Sequence, residues 1–365
     1  MQGRILTPEK MARYAETRLF GSNVTPEMAG KIELYNGVLP SQLESMLNER
    51  YDGFVKVKQP NGREPIYFQD RTLFVPQFSG FGRAMRYEKM IEAYISDCRP
   101  DIKFEAHDLD DNPRKTDQSY SNNAYDFVVG MFVPETKYEA RRVFPKHDVK
   151  NIREVIFGPL DAVSRHAETI EKGVSEYLQA QIVNANGKDA LNIGYVFADQ
   201  AGIILDKMLR EYNNISNGKP LGLNIHMFGR VAGLAEGMER HQLVYPTGII
   251  DWTDLKDGRR LEYPMHNILS SEKSGGLNLN VVSVVRETYE QLEKARDSGC
   301  VCVEMETRES AEAINQARRR YPNMSINFGF VGYVSDVPLS GDTIEKEMSS
   351  DKGETEAAKV IIDNI

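Results

Sequence analysis

The spacing of apolar residues changes along this chain, and the change suggests two regions. Residues 1–50 predict helices, because apolar side chains recur every three to four positions on two stretches, and Pro40 lies where the second helix would begin. Residues 53–78 alternate around the turn signal Pro60-Asn61-Gly62, which predicts a hairpin. A glycine-rich turn, a helix and a strand are predicted to follow, as far as residue 108.

Residues 108–124 are polar and rich in turn formers, so we expect a linker or a long surface loop there. Beyond this segment, near-continuous apolar strands alternate with helices. The predicted order begins with a strand at 125–133 and a helix near 160–183, and it ends with the strand SINFGFVGYVSD. This alternation predicts a three-layer αβα domain around a mostly parallel mixed sheet. We therefore expect an α+β region over 1–120 and an α/β domain over 121–365.

Composition narrows the classes of function. The net charge of −9 disfavours a general nucleic-acid partner, because a basic surface is what binds a phosphate backbone. The sequence contains no apolar run long enough to span a membrane and no secretory signal pattern. The three cysteines form no CxxC pair, which fits a reducing compartment, so a cytoplasmic protein is expected.

Two carboxylates end one of the predicted strands. Glu304 and Glu306 flank Met305 directly after the apolar run CVCV and before a helix. Ligands of α/β sheets bind at the carboxyl ends of strands, and a carboxylate can accept two hydrogen bonds from a vicinal diol. The alternative is that these glutamates only cap the following helix, and the segment alone does not decide between the two.

Two further segments also follow strands. Ser335-Asp336 ends the last apolar strand. The aspartate would serve as a general acid if burial raised its pKa. The alternative is that its side chain only caps a helix or stabilises a turn. Gly229-Arg230 begins the run GRVAGL after the predicted strand LGLNIHMF. Small residues there would let a ligand approach the backbone closely, although a plain glycine turn has the same composition.

Taken in order, the segments GRVAGL, VEMET and VSDVPLSGDTI resemble the nucleoside phosphorylase superfamily, and the last is similar in particular to AMP nucleosidases. The resemblance covers about 155 residues, roughly from Asp189 to Ile344. It implies that Glu306 binds the ribose hydroxyls, that Met305 packs beneath the sugar, and that Asp336 protonates or hydrogen-bonds purine N7. Glu304, Ser335 and Gly229 are then expected to line the same substrate pocket.

The resemblance also implies a water-activating glutamate five residues after the glycine that ends the first strand. If the first strand is Asp126-Phe-Val-Val-Gly130, Glu135 occupies that position. Glutamates after strands are ordinary surface residues, so this role depends on Glu135 reaching a bound water.

Departures from the family pattern point to the nucleophile and to the substrate. The phosphorylase phosphate loop is replaced by the bulky Tyr195-Val196-Phe197-Ala198-Asp199, which favours water over phosphate. Arg230 stands where the family often has Ser or Thr, so it is expected either to hold a substrate phosphate or to form a structural ion pair. Arg286 is a second candidate for the phosphate side. The upstream run Phe78-Ser79-Gly80-Phe81-Gly82-Arg83 is either a decoy or an added part of the pocket.

The sequence therefore predicts an enzyme that hydrolyses the N-glycosidic bond of a purine nucleotide or nucleoside, with AMP as the first substrate to test. Phosphorolysis and an inactive nucleotide-binding module are the alternatives. No cofactor and no metal are expected, because the histidines lack zinc spacing and the acidic run after His107 has the composition of a solvated loop. The resemblance implies a homo-oligomer.

Overall fold

The chain forms two compact units in the computed structural model. The first comprises Met1–Asn122 and Ser283–Tyr289, and the second comprises Asn123–Val282 and Glu290–Ile365. The structure describes residues 5–58, 65–77, 81–108, 127–132, 143–144, 146–173, 179–194, 199–256, 262–269, 275–281, 287–343 and 351–365. Among these residues, none of the helices has the length and apolar character needed to cross a lipid bilayer.

The first unit combines helices with a five-stranded sheet of order β2-β3-β4-β1-β5. Strand β1 pairs in parallel with both β4 and β5, while β2, β3 and β4 are antiparallel neighbours. The elements are α1 (Pro8–Leu19), β1 (Lys31–Asn36), α2 (Pro40–Arg50), β2 (Val55–Lys56), β3 (Tyr67–Gln69), β4 (Thr72–Gln77), α3 (Phe81–Cys98) and β5 (Lys103–Asp108).

Local sequence explains where several of these elements begin. Helix α1 starts at a proline, and the hydroxyl of Thr7 accepts a hydrogen bond from the amide of Lys10 at 3.5 Å. Helix α2 begins at Pro40, as predicted. It packs on the sheet through an apolar cluster made of Tyr35, Val38, Leu43, Leu47, Tyr67 and Phe74.

The antiparallel pairing of β2 with β3 is what the hairpin prediction requires, although the turn residues themselves lie outside the described part. The predicted helix and strand before residue 108 are confirmed as α3 and β5. The expectation that residues 1–50 are wholly helical is wrong, because β1 lies at Lys31–Asn36 between β4 and β5. Its first four residues, Lys-Ile-Glu-Leu, alternate polar and apolar side chains, which is a strand pattern that the helical interpretation of residues 1–50 missed. The predicted linker at 108–124 lies outside the described residues except for its first residue.

The second unit has helices and an eleven-stranded mixed sheet, which confirms the α/β class. Its strands are β6 (Glu154–Phe157), β7 (Glu168–Gly173), β8 (Ala180–Ala185), β9 (Lys188–Ile193), β10 (Leu221–Gly233), β11 (Leu243–Val244), β12 (Gly248–Asp251), β13 (Glu262–Pro264), β14 (Leu277–Asn280), β15 (Cys300–Glu304) and β16 (Met324–Asp336). Its labelled helices are α4 (Leu160–Ser164), α5 (Asp199–Ser216), α6 (Trp252–Lys256), α7 (Tyr289–Asp297), α8 (Thr307–Arg320) and α9 (Lys352–Asp363).

Two parallel blocks make up the centre of this sheet. Strands β9, β6, β10 and β16 run in one direction, and β12, β14 and β15 run in the other. The blocks meet where β10 pairs antiparallel with β15. Helix α9 covers part of one face, where Ala357, Ala358, Ile361 and Ile362 join the apolar cluster that contains Phe228 and Tyr333.

Two predicted elements of the second unit are wrong. Residues 127–132 are helical instead of forming a strand, and their buried side chains are Phe127, Val128, Met131 and Phe132. This 1-2-5-6 spacing suits one face of a helix. The helix expected near 160–183 stops after α4, and the antiparallel strands β7 and β8 follow it. The alternating half-buried and exposed residues of β7 are typical of an edge strand.

Candidate functional site

The last residues of β15 and β16 lie on either side of Ala232. In the antiparallel ladder Ala232 pairs with Val303, and in the parallel ladder it pairs with Asp336. Val303 and Asp336 are therefore separated by one strand, which corresponds to about 10 Å between their backbones. Since Glu304 and Glu306 directly follow Val303, the register brings the Glu-Met-Glu segment and the terminal aspartate into one region.

A β-bulge shapes the end of β16. Val231 pairs with Val334, and Ala232 pairs with Asp336, so Ser335 is an extra residue without a partner in the ladder. Bulges of this kind commonly redirect side chains beside functional sites. The hydroxyl of Ser335 lies 2.6 Å from Oδ1 of Asp336 and 3.2 Å from the carbonyl oxygen of Val231. Asp336 is buried, with 5% of its surface exposed, and the hydroxyl orients its carboxyl group.

Glu304 is held entirely within the protein. Its Oε1 accepts hydrogen bonds from the amide group of Asn278 and from the hydroxyl of Thr307. Its Oε2 accepts the backbone amides of Glu306, at 2.5 Å, and Thr307, at 2.8 Å. Burial and the neighbouring charge of Glu306 raise the pKa of Glu304 to about 7, against the opposing effect of these donors.

Glu306 has a different environment from Glu304. It occupies the N-cap position of α8 and makes no side-chain capping hydrogen bond. Its side chain is half-buried, and its Oε2 accepts the amide of Met305 at 3.3 Å. Glu304 accepts the amides of Glu306 and Thr307 at the start of α8, so Glu304 is the residue that caps the helix. Glu306 makes no such bond, so it is the glutamate whose carboxylate stays a candidate for ligand binding.

The glycine-bearing run is not a loop. Gly229 and Arg230 lie inside β10, which continues to Gly233, so the prediction of a turn after LGLNIHMF is wrong. The physical reason is the long pairing with β16, which continues the ladder beyond the predicted strand end. Arg230 is exposed, and its Nε donates to the hydroxyl of Tyr333 at 3.4 Å. That hydroxyl in turn donates to Glu354 at 2.6 Å.

Three of the predicted features lie outside the described residues: Glu135, Arg286 and the segment 195–198. The strand from which Glu135 was counted is not formed, because residues 127–132 are helical, and the role of Glu135 itself stays a prediction. The glycine-rich run at 78–83 lies partly in the first turn of α3 and partly outside the described residues.

The structure adds a row of polar residues that sequence reasoning missed. Asp251 pairs with Asn280, and Asn280 pairs with Glu304, at the carboxyl ends of β12, β14 and β15. All three are buried, and Arg308 donates to Oδ2 of Asp251 at 2.6 Å. A signal was present for Asp251 and Glu304, which close the apolar runs GII and CVCV, but not for Asn280, which lies within LNLNVV. Only the strand order shows that the three runs are neighbours.

A second ion pair, between Arg240 and Asp342, links the segment after Asp336 to the segment after β10. Arg240 donates through Nε and Nη2 to the two carboxylate oxygens of Asp342, at 2.6 and 3.0 Å. Val337 and Asp342 also form an isolated β-bridge. This bidentate pair joins the residues after β10 to the residues after β16, and so limits movement of the backbone next to Asp336.

Tyr245 follows β11 and is half-buried, and it packs against the apolar cluster that contains Phe228 and Tyr333. Burial raises its pKa above the ordinary value for tyrosine.

The sequence matches no protein-family model, and a search of curated proteins finds no relative. The chain is similar in structure to a 5′-methylthioadenosine/S-adenosylhomocysteine nucleosidase from Neisseria meningitidis, with 15% identity, a TM-score of 0.44, and coverage of 58% of this chain and 97% of the other. It is also similar to purine nucleoside phosphorylase from Toxoplasma gondii, with 13% identity, a TM-score of 0.45, and coverage of 63% and 96%. Uridine phosphorylase from Schistosoma mansoni has 12% identity, a TM-score of 0.41, and coverage of 58% and 85%.

Proposed function

We propose that the second unit is an N-ribosyl hydrolase that cleaves the N-glycosidic bond of a purine nucleotide or nucleoside, with AMP as the first substrate to test. The proposal rests on the ladder positions of Val303, Ala232 and Asp336. The adjacent strand ends support a pocket in which an acid candidate, Asp336, and a diol-binding candidate, Glu306, act on one nucleoside. The three motif segments of the sequence supply the chemistry, and the register supports their convergence.

In this proposal Asp336 acts on the base and Glu306 acts on the sugar. Asp336 is buried, and in its protonated form it would donate to purine N7 as the base departs. Ser335 orients that carboxyl group through the 2.6 Å contact to Oδ1. Glu306, being half-buried, would accept hydrogen bonds from the ribose 2′- and 3′-hydroxyls while Met305 packs beneath the ring.

Glu304 has a positioning role instead of the substrate contact expected from the sequence. Its Oε2 holds the amide of Glu306, so it places the Glu306 backbone relative to β15. Cleavage of the C–N bond passes through an oxocarbenium-like state with positive charge on the sugar. The negative charge of Glu306 would stabilise that state, because it is fixed in a partly desolvated setting before the reaction begins.

Phosphorolysis is the second candidate, and a module that binds a nucleotide without turnover is the third. The water-activating role that the resemblance assigns to Glu135 concerns a residue outside the described part of the structure, so the phosphate dependence of base release has to distinguish the nucleophiles.

The test is base release measured by HPLC with AMP, adenosine, methylthioadenosine, inosine and guanosine, with and without phosphate. We expect phosphate-independent release of adenine, and Asp336→Asn and Glu306→Gln should each lower the rate by about 10²–10⁴-fold. The control is Asp297→Asn, which removes an exposed carboxylate that pairs with the neighbouring Arg296. Melting temperatures of all variants separate loss of chemistry from loss of fold.

The outcomes distinguish the candidates. Base release that occurs only with phosphate would show that the reaction is phosphorolysis and not hydrolysis. Tight binding of an adenine nucleotide without release of base from any substrate would indicate the binding module. Unchanged release in folded Asp336→Asn would contradict the assigned acid, and a Glu135→Gln variant tests whether that residue activates water.

A further inference from the structure

We propose that the first unit binds a divalent transition-metal ion between β1 and β5, through Glu33, Glu105 and His107. The proposal concerns a different unit from the one to which the glycosidase function is assigned, and it does not depend on that function. It follows from the register of two parallel strands and from the donor atoms that this register brings together.

The register places the three side chains on one face of the sheet. Glu33 of β1 pairs with Glu105 of β5, and two residues further on Tyr35 pairs with His107. Residues two apart on a strand point to the same face, and paired residues on neighbouring strands share that face. Two carboxylates and one imidazole are therefore adjacent, although more than 70 positions separate Glu33 from Glu105 and His107.

The distances are close to those of a metal site. Nε2 of His107 lies 3.4 Å from Oε2 of Glu33 and 3.9 Å from Oε2 of Glu105. One ligand atom from each of the three residues lies within 4.8 Å of the others. Two ligands of a tetrahedral ion with bonds of about 2.0–2.1 Å are about 3.3 Å apart. Small side-chain movements would close the site.

His107 has the feature expected of a metal ligand. Its Nε2 is buried and makes no hydrogen bond among the described residues. Buried ring nitrogens are normally paired, so an unsatisfied nitrogen that faces two carboxylates calls for an explanation. A metal ion would accept the lone pair of the neutral imidazole.

Tyr35 lies beside the three ligands on the same face of the sheet and contacts two of them. Its ring stacks on the imidazole of His107, with centroids 4.6 Å apart. Its hydroxyl donates to Oε2 of Glu33 at 2.6 Å. Such contacts fix the orientation of the ligands before an ion arrives, and surrounding shells of this kind commonly contribute to metal affinity.

Lys31 is the competitor for this position. Its Nζ lies 2.7 Å from Oε1 of Glu33 and 2.6 Å from Oε2 of Glu105, so the ammonium pairs with both carboxylates and offsets one of their two charges in the metal-free protein. Its side chain is partly exposed on a flexible stem. An incoming ion would displace the ammonium into solvent, which makes the site one of moderate affinity that Lys31 controls.

The donor set selects the class of metal. One imidazole and two carboxylates suit zinc, manganese and iron, whereas magnesium and calcium prefer oxygen ligands alone. Glu105 is half-exposed, with 51% of its side chain accessible, so a water molecule has access to the remaining coordination position. Zinc(II) is the probe of choice because it has no redox chemistry.

The experiment measures zinc affinity of the full chain by competition with a chromogenic chelator after treatment with EDTA. All variants carry Cys98→Ser, which removes the exposed thiol. We expect one equivalent of zinc per chain, a loss of at least about tenfold in affinity for His107→Ala and Glu105→Gln, and a gain of similar size for Lys31→Met. His147→Ala is the matched control, because His147 contacts a single carboxylate, Glu171, at 2.6 Å.

Thermal melting provides an independent measurement. Zinc should raise the melting temperature of the wild-type chain and not that of Glu105→Gln, whose exposed side chain can be changed without disturbing the core. Equal zinc affinity in the wild type, His107→Ala and Lys31→Met would overturn the proposal and leave Lys31 as a permanent counter-ion. The proposal would also be overturned if His147→Ala lost zinc binding while His107→Ala and Glu105→Gln kept it.

Discussion

At the scale of single residues, the two glutamates that flank Met305 differ because their surroundings differ. Glu304 receives four hydrogen bonds and is buried, while Glu306 is half-buried at the start of α8. Sequence spacing predicted that both would lie beside the substrate. It could not separate them, because the hydrogen bond from Asn278 depends on the neighbouring strand β14.

The raised pKa of Glu304 predicts a pH dependence of stability. Its pKa moves from 4.5 in the unfolded chain to about 7 in the folded protein, so the native state holds a proton that the unfolded state releases. This contribution to the free energy of unfolding is fully present below about pH 4.5 and is lost as the pH rises to about 7. The hydroxyl of Thr307 can donate to the carboxylate or accept from the carboxylic acid, so both states are tolerated.

The check is urea unfolding of the wild type and Glu304→Gln between pH 4 and pH 8. The difference in free energy of unfolding between the two proteins should change by about 1–3 kcal/mol across this range, in favour of the variant at the higher pH. Parallel curves for the two proteins would show that Glu304 does not titrate in this window.

At the scale of elements, close contact between β6 and β10 depends on a glycine. A Cβ built on Gly158 would overlap the ring of Phe228, whereas a Cβ on Gly222 would meet no atom within 4 Å. Both are glycines in or beside strands of the same sheet. They differ only in the space available for a side chain.

Gly158→Ala should lower the free energy of unfolding by about 1–3 kcal/mol, because the Phe228 ring must leave its packed position. Gly222→Ala is the control and should be neutral or slightly stabilising, since alanine loses less conformational entropy on folding. Denaturant titrations of both variants measure the difference. Equal stability of the two would mean that the ring moves aside without cost.

The elements also show how far local pattern predicts structure. Helices α3 and α8 were predicted from the sequence, and the same holds for strands β15 and β16. The errors occurred where the pattern is short or ambiguous. Strand β1 alternates over only four residues, 31–34, between two stretches with helical spacing, and residues 127–132 form an apolar run whose spacing suits a helix as well as a strand.

At the scale of the whole molecule, the chain enters the first unit twice. Residues Ser283–Tyr289 group with Met1–Asn122, and the amide of Ile5 donates to the carbonyl oxygen of Glu287 at 3.0 Å. The sequence predicted a single boundary near residue 120. A contact between the chain's beginning and residue 287 has no local signature, because it depends on two segments that are distant in sequence.

A fragment that contains only residues 123–365 should therefore be less stable than the second unit within the full chain. It retains Ser283–Tyr289 but lacks the residues with which that segment groups. We expect a melting temperature several degrees lower, or loss of solubility, measured by calorimetry against the full chain. A fragment that melts at the same temperature and releases base at the same rate would contradict this dependence.

The sequence by itself determined the α/β class, the strands β15 and β16 with helix α8 between them, and the three segments that carry candidate chemistry. These depend on local periodicity and residue type, which are present in any stretch of the chain. Only the tertiary structure decided which carboxylates are neighbours, that the GRVAG run continues a strand, and that Glu33, Glu105 and His107 meet. Strand order and register set these relations, and both arise from pairing between distant segments that no local pattern encodes.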